Sequence, residues 1–306
     1  MRNTFAKELL NLAKKDKDIV LLSGDIGNRM FDELKENCPN QFLNCGIAEA
    51  NMMSMASGMA LSGARPVIYT ITPFTTLRCF EQIKIGVCYH KAPVIIVGTG
   101  SGLSYAELGP THHSLEDIAI LKTIPDINIL APADSIELSY FLKESLTLQM
   151  PTYIRIGKKG EPNLNINNVK PKIGKANLLK NGNDIILLGI GPILGEAIEA
   201  SSILKNKGIN LAVVSMGSVR PLDSQFLHYI RERKFRHWIT LEEHGMEGGL
   251  GASILDWIYS NNLNKEINFS RIAVPNQFIN KLGNQSYIRN QLKMNAEGIA
   301  NFINNL

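Results

Sequence analysis

Residues 46–74 read GIAEANMMSMASGMALSGARPVIYTITPF. The stretch runs from a turn into a Met- and Ala-rich helix and then into a strand over 66–71. One carboxylate, Glu49, stands between apolar Ile47 and the start of that helix. An acid so placed has two readings. It is a helix-start charge held by the N-terminal dipole, or a desolvated group kept for handling protons.

Toward the N-terminus, residues 4–15 put Phe5, Leu9, Leu10 and Leu12 with Ala6 and Ala13 on one helical face. The apolar run 19–22 ends in Ser23-Gly24-Asp25, a strand feeding a turn, and 31–37 reads as a short helix. Toward the C-terminus a helix is expected over 75–90, a buried strand over 94–98, then a glycine-rich irregular stretch over 99–113. Helix 115–123, strand 127–130, helix 135–147 and strand 152–156 follow. Short apolar strands alternating with amphipathic helices predict an α/β fold with a parallel sheet. Ligands gather at the carboxyl ends of such strands, so chemistry is sought in the turns after Leu22, Ile71 and Val97.

Residues 158–172 (KKGEPNLNINNVKPK) are polar and Asn-rich, and a second α/β pattern succeeds them. Its strands are expected over 184–189, 210–215, 238–241 and 270–274. Its helices are expected over 194–207, 224–232 and 251–260, with one closing helix over 286–304. The chain is thus expected to be two consecutive parallel-sheet α/β domains, 1–160 and 173–306, joined by a linker over 161–172.

A length of 306 residues with 44% apolar and 20% charged residues suits two ordinary domains with large cores. The net charge of +4 is too small and too dispersed for a nucleic-acid partner. Cys38, Cys45, Cys79 and Cys88 form no C-x-x-C pair and read as free thiols of a reducing compartment. No apolar run reaches the roughly 18 residues of a membrane span, and the N-terminus has no apolar signal core. A cytoplasmic chain with no membrane partner is expected.

Several motifs dissolve on inspection. Gly189-Ile-Gly191-Pro-Ile-Leu-Gly195 places its third glycine one residue too late for G-x-G-x-x-G, and no acid ends the next strand to hold a ribose. It reads as a structural turn. Glu242-Glu243-His244 before Gly248-Gly249-Leu-Gly251 resembles an anion nest, but two adjacent acids disfavour phosphate. It is expected to pack at an interface. No G-x-S-x-G elbow and no metal-ligand spacing occur, and His112 and His113 should point opposite ways. Gly109-Pro110-Thr111-His112-His113 is different, because it closes the glycine-rich loop directly after a central strand. A histidine there either sits over a ligand near neutral pH or merely enters the next helix.

Five stretches taken in order carry a resemblance across essentially the whole chain. They are Gly24-Asp25, Gly46-Ile47-Ala48-Glu49-Ala50-Asn51, Phe74-x-x-x-Arg78-Cys79-Phe80-Glu81-Gln82, Gly109-Pro110-Thr111-His112 and Ala131-Pro132-Ala133-Asp134. Together they resemble the C-terminal half of transketolase, its pyrimidine-binding and C-terminal domains, and most of all the second subunit of split, two-chain transketolases. The resemblance implies a thiamine diphosphate enzyme that moves a two-carbon ketol unit from a ketose donor to an aldose-type acceptor.

On that resemblance Glu49 would hold the cofactor's ring N1′, and an apolar setting of Ile47, Met52 and Met53 would favour its neutral form. Ile47 would be the wedge that bends the cofactor, Phe74 an aromatic stacking on its aminopyrimidine, and Asp25 an acid near cofactor and dimer contact. His112 would handle substrate hydroxyls. Arg2 and Arg155 would grip the sugar phosphate, a task that suits a guanidinium fork.

Departures from the family pattern are equally informative. Ile71 and Leu77 stand in place of two further aromatics, Leu108 in place of an acceptor-reading aspartate, Gly100 in place of a histidine and Arg29 in place of a serine. Losing a buried polar reader relaxes selection for its hydroxyl, so specialised sugars are expected. Gly24-Asp25-Ile26-Gly27 lacks the G-D-G…N signature for diphosphate and Mg2+. Those groups are therefore expected mainly on a separate N-terminal-half subunit, in an α2β2 assembly with self-association through this chain. The alternatives are the E1 β subunit of a 2-oxo acid dehydrogenase, a deoxyxylulose-phosphate-synthase-like enzyme, and a non-catalytic structural partner.

Overall fold

The computed structural model describes residues 1–27, 29–164 and 169–306. Residues 165–168 of the expected linker lie outside the described residues.

Two sheets organise the chain. The first contains β1 (Ile19–Ser23), β2 (Phe42–Asn44), β3 (Arg65–Ile71), β4 (Ile95–Thr99), β5 (Asn128–Leu130) and β6 (Thr152–Ile156). The second contains β7 (Asn177–Lys180), β8 (Ile185–Gly189), β9 (Leu211–Ser215), β11 (His237–Gly245) and β12 (Phe269–Val274). Strand β10 (Ser218–Arg220) follows β9 in the chain but pairs antiparallel with β5. The orders are β10-β5-β6-β4-β3-β1-β2 and β12-β11-β8-β9-β7. Apart from β10 and β7 every pairing is parallel. Strands β4, β6, β8 and β9 are buried along their whole length, as strands covered on both faces must be.

The second half of the chain thus supplies an edge strand to the first sheet, and the two sheets are tied at their carboxyl ends. Gly245 N–H donates to the Leu115 carbonyl at 2.7 Å, Gly191 N–H to Ala131 at 3.1 Å, and Ala131 N–H to Gly217 at 2.7 Å. The Gly189–Gly195 turn is therefore structural, as its spacing implies.

Buried Glu137, on helix Ser135–Ser145, reaches across the same junction. It accepts hydrogen bonds from Ala133 N–H, Ser215 Oγ and Asn177 Nδ2 at 2.8, 2.9 and 3.0 Å. Burial pushes this carboxyl up from its ordinary range, while those hydrogen bonds act in the opposite sense.

Two expected helices are broken. The 75–90 helix is three pieces, Thr72–Thr76, Phe80–Gln82 and a π-helical turn Ile83–Tyr89. Threonines account for the first break. Thr75 and Thr76 hydroxyls bond back to the carbonyls of Ile71 and Thr72 at 2.9 and 2.8 Å, and Thr72 bonds to Thr99 at 3.0 Å. Such local bonds compete with helix propagation.

The Ser57 hydroxyl, on helix Glu49–Leu61, donates to the Gly86 carbonyl inside the π-turn and draws the two helices together. The closing helix is likewise two, Gln285–Gln291 and Ala296–Asn304. Lys293 takes a φ of 55° between them, and Asn295 restarts the chain by accepting from Gly298 N–H at 3.1 Å.

Candidate active site

The carboxyl ends of β1, β3 and β4 carry the turns singled out by the alternation of strands and helices. After β3, the short helix Thr72–Thr76 turns Phe74 outward, half-buried. Glu49 begins helix Glu49–Leu61 and is only 3% exposed, so its carboxylate faces the helix dipole from inside the protein.

Its surroundings differ from the apolar setting expected. Arg78 Nη1 donates to Glu49 Oε2 at 2.8 Å, and the same guanidinium lies over the Phe74 ring, 4.3 Å from its centroid. Met52 and Met53 are buried in the same helix, but a cation sits on the acid itself. Arg78 is not among the expected site residues, because it lies in the turn after helix Thr72–Thr76, where helical spacing does not place it beside Phe74.

His112 also meets Phe74, its ring edge-on at 5.3 Å, with Tyr105 at 6.0 Å from His112. His112 Nδ1 pairs with Thr111 Oγ1 at 2.9 Å. Burial and, secondarily, the neighbouring His113 hold its pKa below the ordinary histidine value. His113, the next residue, is buried. Its pKa is also lowered by burial, against a hydrogen bond to the Ala106 carbonyl and the charges of Glu116 and Glu243. Glu49, Arg78, Phe74, His112 and Tyr105 thus form one continuous set of contacts.

Ile47 projects into the open beside this set, 79% exposed. Asp25 is exposed, in a left-handed turn with φ 54°, and accepts from Asn44 Nδ2 at 2.9 Å. Leu77 and Leu108 are 46% and 52% exposed. Arg2 donates from Nε to Tyr69 Oη at 3.1 Å, and Tyr69 stacks on Phe5 at 5.3 Å.

Gly100 takes a φ of +80°, and a Cβ there would overlap the Tyr105 ring. The aromatic therefore fills the space that a side chain at position 100 would need. Lys158 Nζ lies 4.8 Å over that ring and 3.4 Å from Glu107 Oε2.

Arg155 requires a correction. It is not presented to a ligand. It lies within central strand β6 and is 3% exposed. Its Nε donates to Asp117 Oδ2 at 2.7 Å and its Nη2 to the carbonyls of Ser114 and Glu243 at 2.8 and 2.9 Å. A guanidinium so committed cannot also grip a sugar phosphate. Lys158, three residues on and beyond the strand, is the cation that this segment places over Tyr105.

Asp117 receives Tyr153 Oη at 2.6 Å as well, with His244 Nε2 at 3.9 Å from its other oxygen. Burial alone would raise Asp117, but Arg155, His244 and the two hydrogen bonds outweigh it and hold the carboxyl below its ordinary range.

The nest before helix Leu250–Ser260 is filled from within. Buried Glu242 accepts Leu250 and Gly251 N–H at 2.7 and 2.8 Å, so these donors need no external anion. Glu243 accepts from Arg289 Nη2 at 2.7 Å and Gln285 Nε2 at 2.9 Å. Among the described residues, no three His, Cys, Asp or Glu converge to hold a metal ion, and no helix is long and apolar enough to cross a membrane.

Comparison with known proteins agrees over both halves. Residues 1–161 match the family model for the transketolase pyrimidine-binding domain, and 174–299 that for the transketolase C-terminal domain. The chain is 34% identical over 300 residues to one subunit of the apulose-4-phosphate transketolase of Phocaeicola vulgatus, covering 97% of this chain and 94% of that one. It is 29% identical to a 6-deoxy-6-sulfo-D-fructose transketolase subunit of a Clostridium species, covering 98% and 92%. It is also 32% identical to 1-deoxy-D-xylulose-5-phosphate synthase of Halothermothrix orenii, but spans only 43% of that longer enzyme.

Among solved structures, a split-gene transketolase described as an inactive β4 tetramer superposes with a TM-score of 0.86 at 27% identity, covering 98% of this chain and 95% of that one. Campylobacter jejuni transketolase shares the fold, with a TM-score of 0.82 at 20% identity over 46% of its length. The chain belongs to the transketolase family, as a C-terminal-half subunit of the split, two-chain kind.

Proposed function

We propose that this subunit carries the aminopyrimidine half of a thiamine diphosphate site and serves a ketol transfer between specialised sugars. The observation that carries this reading is the cluster in which a buried helix-start carboxylate, Glu49, shares one face with Phe74 and His112. These residues suit the group: a carboxyl for a ring nitrogen, an aromatic face for stacking, and Ile47 projecting beside them as a wedge. When bound, the cofactor supplies the carbon nucleophile that accepts the two-carbon unit.

The chain's own residues do the rest. Glu49 holds a proton at its carboxyl oxygen toward the ring nitrogen. Phe74 fixes the ring plane, and Asp25 lies at the edge nearest the subunit contact. His112, with Nδ1 tied to Thr111, offers Nε2 to a substrate hydroxyl. Arg2, through its guanidinium fork, and Lys158, as a point charge over Tyr105, receive the anionic end of the sugar. The diphosphate and Mg2+ belong mainly to a separate N-terminal-half subunit, in a cytoplasmic α2β2 enzyme. Residues 1–160 and 173–306 are its two domains on this chain.

Two of the relatives are named for apulose 4-phosphate and for 6-deoxy-6-sulfo-D-fructose. Both are ketoses, the donor class of such a reaction, and exposed Leu108 in place of an acid supports an unusual sugar here as well. With the partner subunit added and one aldose phosphate as common acceptor, xylulose 5-phosphate should be used as donor at least about tenfold more slowly than a branched or 6-deoxy-6-sulfo ketose. Equal rates in a coupled assay would sink the specialised-sugar reading.

His112→Ala should lower kcat/KM by about a hundredfold, the lower end of the range for a proton-handling side chain. Because its pKa is lowered, His112 is neutral at pH 7, and loss of activity on acidification should begin below the ordinary value of about 6.5. A pH profile of wild type beside His112→Ala checks both.

A further inference from the structure

The pairing of Arg78 with Glu49 has no place in the reaction just described. The guanidinium occupies, at once, the two groups that the aminopyrimidine needs: the carboxylate oxygen, at 2.8 Å, and a face of the Phe74 ring, at 4.3 Å from its centroid. The Phe74 face that the guanidinium covers is closed to a pyrimidine, and the Glu49 carboxylate is held in a charged pair instead of being free to share a proton with a ring nitrogen. The two partners are buried unequally. Glu49 is fixed at the start of helix Glu49–Leu61 with its side chain 3% exposed, whereas Arg78 is 47% exposed and lies between the helical segments Thr72–Thr76 and Phe80–Gln82. One member can leave without disturbing the core, and it is the arginine.

We propose that Arg78 is a latch on the cofactor site. In the chain without its partner subunit, Arg78 neutralises Glu49 and covers Phe74, so that a buried carboxylate is not left bare and the aromatic face is not left wet. Seating of an aminopyrimidine requires the guanidinium to swing into solvent. Arg78 is thus a positioning residue that acts through Glu49, and it lowers the affinity of the lone subunit for the ring. This inference rests on the proposed function, which puts the aminopyrimidine at Glu49.

The test is calorimetric binding of thiamine to the isolated chain, comparing wild type with Arg78→Gln, Arg78→Met and Arg78→Lys, each checked for folding by thermal melting. Removing one charge-assisted hydrogen bond and one half-exposed cation–π contact should tighten binding by about tenfold for the Gln and Met variants. Arg78→Lys keeps the charge beside Glu49 but not the flat group over Phe74, and should bind between wild type and the Gln and Met variants. Unchanged or weaker binding in the Gln and Met variants overturns the latch and makes Arg78 either a ring-holding or a purely structural residue. Turnover of Glu49→Gln in the assembled enzyme tests the underlying reading separately. A Glu49→Gln enzyme that keeps its activity would remove that reading whatever Arg78 does.

Discussion

Glu49→Gln, assayed with the partner subunit and saturating cofactor, is expected to lose about 10²–10⁴ in kcat. The substitution keeps the shape of the side chain and its place at the helix start, but an amide cannot exchange a proton with a ring nitrogen. Its cost to folding should be small for the same structural reasons. The ion pair it breaks has a half-exposed partner in Arg78, which limits that term to about 0.2–1 kcal/mol. The lost helix-dipole interaction adds about 0.3–1 kcal/mol. A melt within a few degrees of wild type, beside a collapse in turnover, would separate chemistry from stability. Turnover within threefold of wild type would remove Glu49 from the mechanism and favour a structural subunit.

Much of this site is legible from residue type and order, because short apolar strands announce where their carboxyl ends lie. Phe74 and His112 follow β3 and β4, two of the ends sought, while Glu49 follows β2, a three-residue strand not expected from the sequence, and the three converge in space. Failures have physical causes of their own. Arg155 reads as a ligand only if its place inside β6 is ignored. A residue flanked by β4 and β5 on a strand covered on both faces is buried, whereas Lys158, beyond the strand, reaches the Tyr105 ring. The contact of Arg78 with Glu49 joins residues 29 positions apart and depends on a helix broken by threonine back-bonding. Nothing in a periodicity shows such a break. β10 is three residues long and crosses from one half of the chain to the other sheet, a pairing that only tertiary packing specifies.

Arg155→Ala should be the most destabilising single change considered. It strands Asp117, which is 1% exposed, with Tyr153 Oη and distant His244 in place of a cation at 2.7 Å. Breaking a buried pair by removing one partner costs about 3–5 kcal/mol. That corresponds to a fall in Tm on the order of 10 °C for a chain of this size. The folded-state pKa of Asp117 is depressed, so its ionised form contributes stability that is present above the unfolded value of about 3.9 and is lost as pH falls through the lower folded value. In Arg155→Ala the buried carboxyl prefers to be neutral, and acid relieves it. The stability gap between wild type and variant should therefore be full at about pH 6–8 and narrow below about pH 4. Denaturant titrations at neutral pH and near pH 4 measure that gap directly, and a constant gap would show that the loss is one of packing rather than of charge. Replacing both members, Arg155→Met with Asp117→Leu, should recover most of the stability, because two buried charges are removed together. It should not recover activity. Arg155 Nη2 also holds the carbonyl of Ser114, two residues from His112, so the loop that aims the imidazole loses its anchor in either variant.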